Sequence, residues 1–180
     1  MSETEPAPAH EILVVANETV AGRSLIEAIE GRARDQSVRV TVLAPVSHPR
    51  EGYVVYEDTR RAAAGRRLDK TLELLRQEGI PAHGFVVESD PLNAVRDTLA
   101  ELEPRPDEII VSTHPEERSG WLRKNIVDRL KHVAGSIPFE HVVVDLQAEG
   151  GEKNVLVVAN ETVLGSVLSK IRERNERGNV

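Results

Sequence analysis

The chain has 180 residues, with 23 Lys and Arg against 30 Asp and Glu, a net charge of −7, and no cysteine. That is room for one α/β domain of about 100–200 residues plus a fragment, with enough interior to fold without disulfides or metal. The acidic balance argues against a protein that coats nucleic acid or anionic membrane, and the absence of thiols excludes disulfide scaffolds, cysteine zinc sites, iron–sulfur clusters and thiol catalysis. The opening MSETEPAPAH is acidic and lacks an apolar core, and no apolar run nears the roughly 18 residues of a membrane span. The expectation is a cytoplasmic globular protein, free of nucleic-acid and membrane partners, with residues 1–10 as a disordered tail.

In chain order, Ile12–Ala16 is a short continuous apolar run, as in a strand buried on both faces. Ser24–Arg34 has helical spacing at Leu25, Ala28 and Ile29, and Val38–Ala44 reads as a strand. The stretch Pro45–Asp58 is longer than a usual connection, holds Tyr53 and Tyr56, and reads either as a lid or as a loop packed on a neighbour. Arg60–Glu78 is a long amphipathic helix on Leu68, Leu72 and Leu75, ended by Gly79 and Pro81. His83–Glu88 is a third strand. Asp90-Pro91 opens a helix that runs to about Leu102 and is stopped by Pro104 and Pro106. Glu108–Thr113 is a fourth strand, Trp121–Val133 a fourth helix with Trp121 on its apolar side, and Phe139–Leu146 a last strand. Strands alternating with helices predict right-handed βαβ units around a mainly parallel, doubly wound sheet.

The sequence also repeats itself. LVVANETV at 13–20 recurs at 156–163, followed at the same offset by Gly22 and Gly165. The spacing is the length of a whole domain rather than of a solenoid unit. Residues 11–146 therefore read as one domain, 147–153 as a linker, and 154–180 as a partial second repeat of one βα unit, with a strand at Val155–Ala159 and a polar helix near Leu164–Arg177. A lone βα unit buries no core by itself, so this one is expected to extend the sheet or to exchange between protomers.

The strand–helix alternation, the opening ILVVANET, the turn VVESDPLNAV and the segment DEIIVSTHPEERSGWLRKNIVDRL resemble the universal stress protein family over residues 11–146, with STHPEERSGWLRK the most specific piece. The resemblance implies a five-stranded parallel sheet of order 3-2-1-4-5, like that of the adenine-nucleotide α-hydrolases. It also implies a homodimer made through the last strand, to which the C-terminal βα unit is a candidate addition. In one branch of the family ATP sits at the carboxyl ends of strands 1 and 4, where strand order reverses and helix N-termini suit an anion. This chain departs from that branch. Ser112-Thr113-His114-Pro115 stands where the branch has Gly-x-x-Gly, Asp128-Arg129 where it has Gly-Ser or Gly-Thr, and Asn17 where it has aspartate. Proline removes an N–H donor and aspartate repels phosphate, so the chain reads as a variant branch with a degenerate motif.

The candidate ligand-binding set at that edge is Ala16, Asn17, Thr19, Leu43, Ser112, Thr113, His114 and Arg129. For Asn17 and Thr19 the competing role is capping the first helix and its turn, which is favoured for NETV in isolation. His114 reads as a ligand contact or a turn residue, since no second histidine stands at metal-ligand spacing. Arg118, Arg123, Lys124, Arg129 and Lys131 form a basic group that reads as a solvated helix face tempered by Glu116, Glu117 and Asp128. Phosphate-loop, dinucleotide, serine-hydrolase and zinc-protease signatures are absent, so no catalytic residue or metal site is expected. The preferred function is a non-catalytic small-molecule-binding or regulatory stress-response module acting as a homodimer. The rivals are a protein that binds ATP or AMP with at most slow hydrolysis, and an assembly unit working through the C-terminal repeat.

Overall fold

A strand apolar on every side chain is stable only with a strand on each edge and helices on each face. The computed structural model places residues 10–16 in that position; it describes residues 8–16, 19, 22–46, 57–88, 90–115, 119–148 and 157–158. Strand β1 (His10–Ala16) lies between β2 (Val38–Pro45) and β4 (Glu108–Thr113), with β3 (Ala82–Val87) outside β2 and β5 (Phe139–Val143) outside β4. All these pairings are parallel, giving the order 3-2-1-4-5 expected from the sequence. Val157–Val158 (β6) adds to the outer edge of β5 in the antiparallel sense, a two-residue extension of the sheet, and the helix expected near Leu164–Arg177 lies outside the described residues.

Two cores follow from the pleat. Ile12, Val14 and Ala16 point to one face, where Leu25 and Ile29 of α1 (Arg23–Ala33) and Leu68 and Leu75 of α2 (Glu57–Gln77) cover them. Leu13, Val15 and Leu43 point to the other, beneath Leu92 and Val95 of α3 (Pro91–Glu101) and, further along the chain, Ile126 and Leu130. Trp121 packs against this second core, as its position in the sequence predicts.

The helix ends obey local chemistry. Asp90 accepts the Leu92 N–H at 2.9 Å and caps α3. At the end of α2, Gly79 takes φ 73°, while Gly79 N–H and Ile80 N–H bond back to the Arg76 and Leu75 carbonyls at 3.0 and 2.9 Å. That left-handed stop suits a residue without Cβ. The single helix predicted over 121–133 is instead two: α4 (Gly120–Arg123) and α5 (Ile126–Ala134). Asn125 between them adopts φ 55°, a conformation asparagine tolerates, and so breaks the run. The last strand is also shorter than predicted, because Asp145 turns the chain by accepting the Gln147 and Ala148 N–H groups.

The amino ends of the strands carry an ionic seam that the apolar pattern did not announce. Arg32, in the last turn of α1, pairs with Glu108 at 2.5 Å and also with Glu140, across the starts of β4 and β5. Burial would raise the Glu108 carboxyl, but the Arg32 guanidinium and the neighbouring His10 hold it below the usual carboxylate range. On the opposite face Arg39 reaches Glu11 at 2.8 Å. No helix of the described residues is long and apolar enough to cross a membrane.

Helix α1 begins in tight contact with the carboxyl end of the sheet. A Cβ on Gly22 would stand 2.2 Å from Cγ1 of Val144, a fully buried side chain. Gly22→Ala is expected to lower unfolding free energy by about 1–3 kcal/mol through overpacking. Urea denaturation checks this, with the loss reduced when Val144→Ala is made in the same chain.

Candidate functional site

In an open parallel sheet the ligand crevice opens where strand order reverses, at the carboxyl ends of the strands. Here that point lies between β1 and β4, and Ala16 pairs directly with Ser112. Thr19, in the turn after β1, comes back over β4. Its hydroxyl donates to the Ser112 carbonyl at 3.1 Å and stands 2.5 Å from the Ser112 hydroxyl. With the Thr19 proton committed to the carbonyl, the Ser112 hydroxyl is the donor of the second bond. Both residues are 1% exposed. The pair thus spends its two protons on each other, and the Thr19 carbonyl accepts the Gly22 N–H at 3.0 Å to lead into α1. Two expected ligand groups are brought together, and their shared bonds join the β1 turn to β4.

Thr113 is the next member. Its hydroxyl donates to the His114 carbonyl at 2.9 Å and lies 2.8 Å from Nε2 of His141, on β5. Since one hydroxyl carries one proton, Nε2 of His141 is the protonated nitrogen and donates to Thr113. A histidine that gives its proton to a hydroxyl is not placed to take one from it, so this geometry lacks the activation a threonine nucleophile requires. Burial pushes the His141 imidazole below its ordinary value, and Asp128 on α5 opposes that only in part. The neutral ring is therefore the favoured form.

The remaining candidates scatter. Ala16 and Leu43 are buried, at 0% and 1% exposure, with Ala16 in the α1/α2 core and Leu43 in the α3/α5 core. His114 is half-buried at the end of β4, followed by Pro115. Arg129 is exposed on α5 and makes no hydrogen bond or ion pair with Thr19, Ser112 or Thr113 among the described residues. Asn17 and Arg118 lie outside the described residues, as do Tyr53 and Tyr56 of the long connection after β2 and the Asn160-Glu161-Thr162 copy. Among the described residues no group of three or more His, Asp or Glu side chains is arranged to hold a metal.

Sequence reasoning misses His141. It stands within an apolar strand, FEHVVVDL, and the one available signal is a polar residue at an inward position facing β4 and α5. The register sets His141 beside Val111, and only its diagonal side-chain bond to Thr113 gives that position a meaning.

No protein-family model matches this sequence, and no curated protein matches it. Solved structures do. A protein of the universal stress protein family from Burkholderia pseudomallei superposes with a TM-score of 0.53 at 20% identity, covering 73% of this chain and 94% of that one. A universal stress protein family protein from Arabidopsis thaliana, with AMP bound, gives a TM-score of 0.46 at 13% identity, covering 78% of this chain and 94% of the other. The first likeness establishes the fold: this chain has the universal stress protein architecture, in the order its own strands show.

The His141 environment sets a pH dependence. Folding lowers its pKa from 6.5, so the unfolded chain binds the proton first. The stability owed to the neutral ring is complete above that value and declines as pH falls below it, toward the lower folded pKa. His141→Gln keeps a donor for Thr113 without a titrating ring. Its urea midpoint is expected to fall less steeply than the wild type's as pH drops below 6.5; parallel curves would disprove the assignment.

Proposed function

We propose that this chain is a universal-stress-protein-like, small-molecule-binding regulatory module that works as a homodimer in the cytoplasm and carries out no chemistry. The observation that supports it best is the gathering of Thr19, Ser112, Thr113 and His141 at the point where the order 3-2-1-4-5 reverses. These are neutral hydroxyl and imidazole groups, satisfied by one another and largely shielded from water. Such a self-satisfied set forms a rigid, neutral floor at the strand-order reversal, better suited to an uncharged ligand than to an ion. Its members supply neither an ionised base nor a cation for phosphate.

The same chemistry weighs against adenine nucleotide held in the family manner. The segment Ser112–Pro115 offers hydroxyls already engaged and a proline without N–H, where close approach to phosphate calls for glycine. The dimer belongs to the proposal by the family resemblance. The C-terminal βα unit joins it as a contributor, because β6 occupies the β5 edge.

Native mass spectrometry of the full chain, purified without added nucleotide, tests this directly. The expected result is a dimer carrying a small non-nucleotide ligand, or an empty dimer that a metabolite screen by thermal shift then fills. Thr113→Val should abolish that shift. A mass excess equal to AMP or ATP would replace this reading with the nucleotide one. Failure of every metabolite to shift the melting temperature, together with an altered oligomer after deletion of residues 150–180, would replace it with the assembly role.

A further inference from the structure

We propose that the amino-terminal edge of the sheet, opposite the crevice just described, is a separate binding site for a zwitterionic ligand of amino-acid size. A cavity of about 470 Å³ opens there, where β1, β2 and the segment leading into β4 converge, and this lies within the range of about 300–1,000 Å³ common for small-molecule sites. Its polar lining is His10, Glu11, Gln36, Arg39, Arg105 and Asp107.

Several of these groups are occupied in holding the fold. Arg39 pairs with Glu11 at 2.8 Å, and the Glu11 carboxylate is nearly buried. Asp107 accepts the Glu11 N–H through Oδ2 at 2.9 Å, while its own N–H bonds the Glu11 carbonyl at 2.8 Å. His10 is shared between Asp107 at 3.8 Å and Glu108 at 3.4 Å. What is left over is informative. Among the described residues, the Arg105 guanidinium has no ion pair or hydrogen bond, the Gln36 side-chain amide has none, and Oδ1 of Asp107 has none. A forked cation, an amide and a carboxylate oxygen, all on solvent-exposed side chains, therefore remain open to a ligand around one cavity, with Pro8 and Pro104 as apolar wall.

Charge decides the class of ligand. Arg39 and Arg105 balance Glu11 and Asp107, so the cavity as a whole favours neither a net anion nor a net cation. It favours a dipolar molecule. A free α-amino acid has a carboxylate for the planar fork of Arg105 and an ammonium for Asp107. Phosphate would meet two carboxylates, and a polyamine two guanidinium groups. This inference is independent of the carboxyl-edge reading, since the two sites lie at opposite ends of β1.

The test is ¹H–¹⁵N correlation NMR of the full chain, titrated with each free L-amino acid in turn to about 10 mM, a ceiling that reveals even affinities near millimolar. At least one is expected to shift the amides of Gln36, Arg105 and Asp107 saturably, with Ser112 and Thr113 unmoved. The N-acetyl and carboxamide derivatives of that amino acid should each bind worse by about tenfold or more, as should Arg105→Gln and Asp107→Asn with the parent amino acid. The Asp107→Asn variant retains a side-chain oxygen for the Glu11 N–H, and Arg105 makes no ion pair or hydrogen bond among the described residues, so unchanged spectral dispersion will show both variants folded. The proposal is overturned if no amino acid produces a saturable shift, if the derivatives or variants bind as well as the parents, or if the shifts fall on Ser112 and Thr113 alone.

Discussion

Everything in this molecule is organised around one strand that cannot touch water. From Ile12 to Ala16, β1 is at most 1% exposed, with a strand on each edge and a helical layer on each face. Such a strand stabilises by removing apolar area from solvent, at about 25 cal/mol per Å². It can therefore hold no charge or ligand group along its length. Polar chemistry is confined to its two ends. At the amino end Glu11 and His10 pair with residues of β2 and β4; at the carboxyl end the chain turns back so that Thr19 can reach Ser112. The two ends differ in kind, one ionic and partly solvated, the other neutral and buried.

The fold was legible because each local signal agreed with the global arrangement. Continuous apolar runs marked strands covered on both faces, and Gly79, Asp90-Pro91 and Pro104 marked helix ends where the structure has them. The misreading at 121–133 has a clear cause. Apolar spacing persists through α4 and α5, so periodicity alone runs straight across Asn125, whose left-handed backbone is a choice of one residue. The family resemblance and the three-dimensional likeness agree on the architecture, although sequence comparison alone finds no relative.

The candidate site was legible only in part. Position in the fold picked out Thr19, Ser112 and Thr113, because a reversal in strand order is a topological property that survives in the pattern of elements. What those side chains bond to was not legible. Thr19 reads first as a cap and second as a ligand group until the 2.5 Å contact with Ser112 assigns it to joining the turn and the strand. His141 and the Arg32–Glu108–Glu140 triad escaped notice for a related reason: each joins residues remote in sequence, and a parallel sheet sets such pairings through register. The triad adds a further lesson, since breaking one partner of a buried ionic group leaves the others uncompensated.

The repeated octapeptide means that the chain carries its own decoy. Within LVVANETV the two copies have identical claims on the central slot, so folding fidelity depends on the flanks. Ahead of the second copy Asn154 falls where Glu11 stands in the first, and would leave Arg39 without its carboxylate. Beyond it Arg172 falls where Ile29 is wholly buried under α1, so threading the wrong copy would place a guanidinium in an apolar core. The correct topology is thus selected less by the strand that forms the centre than by the helix that follows it.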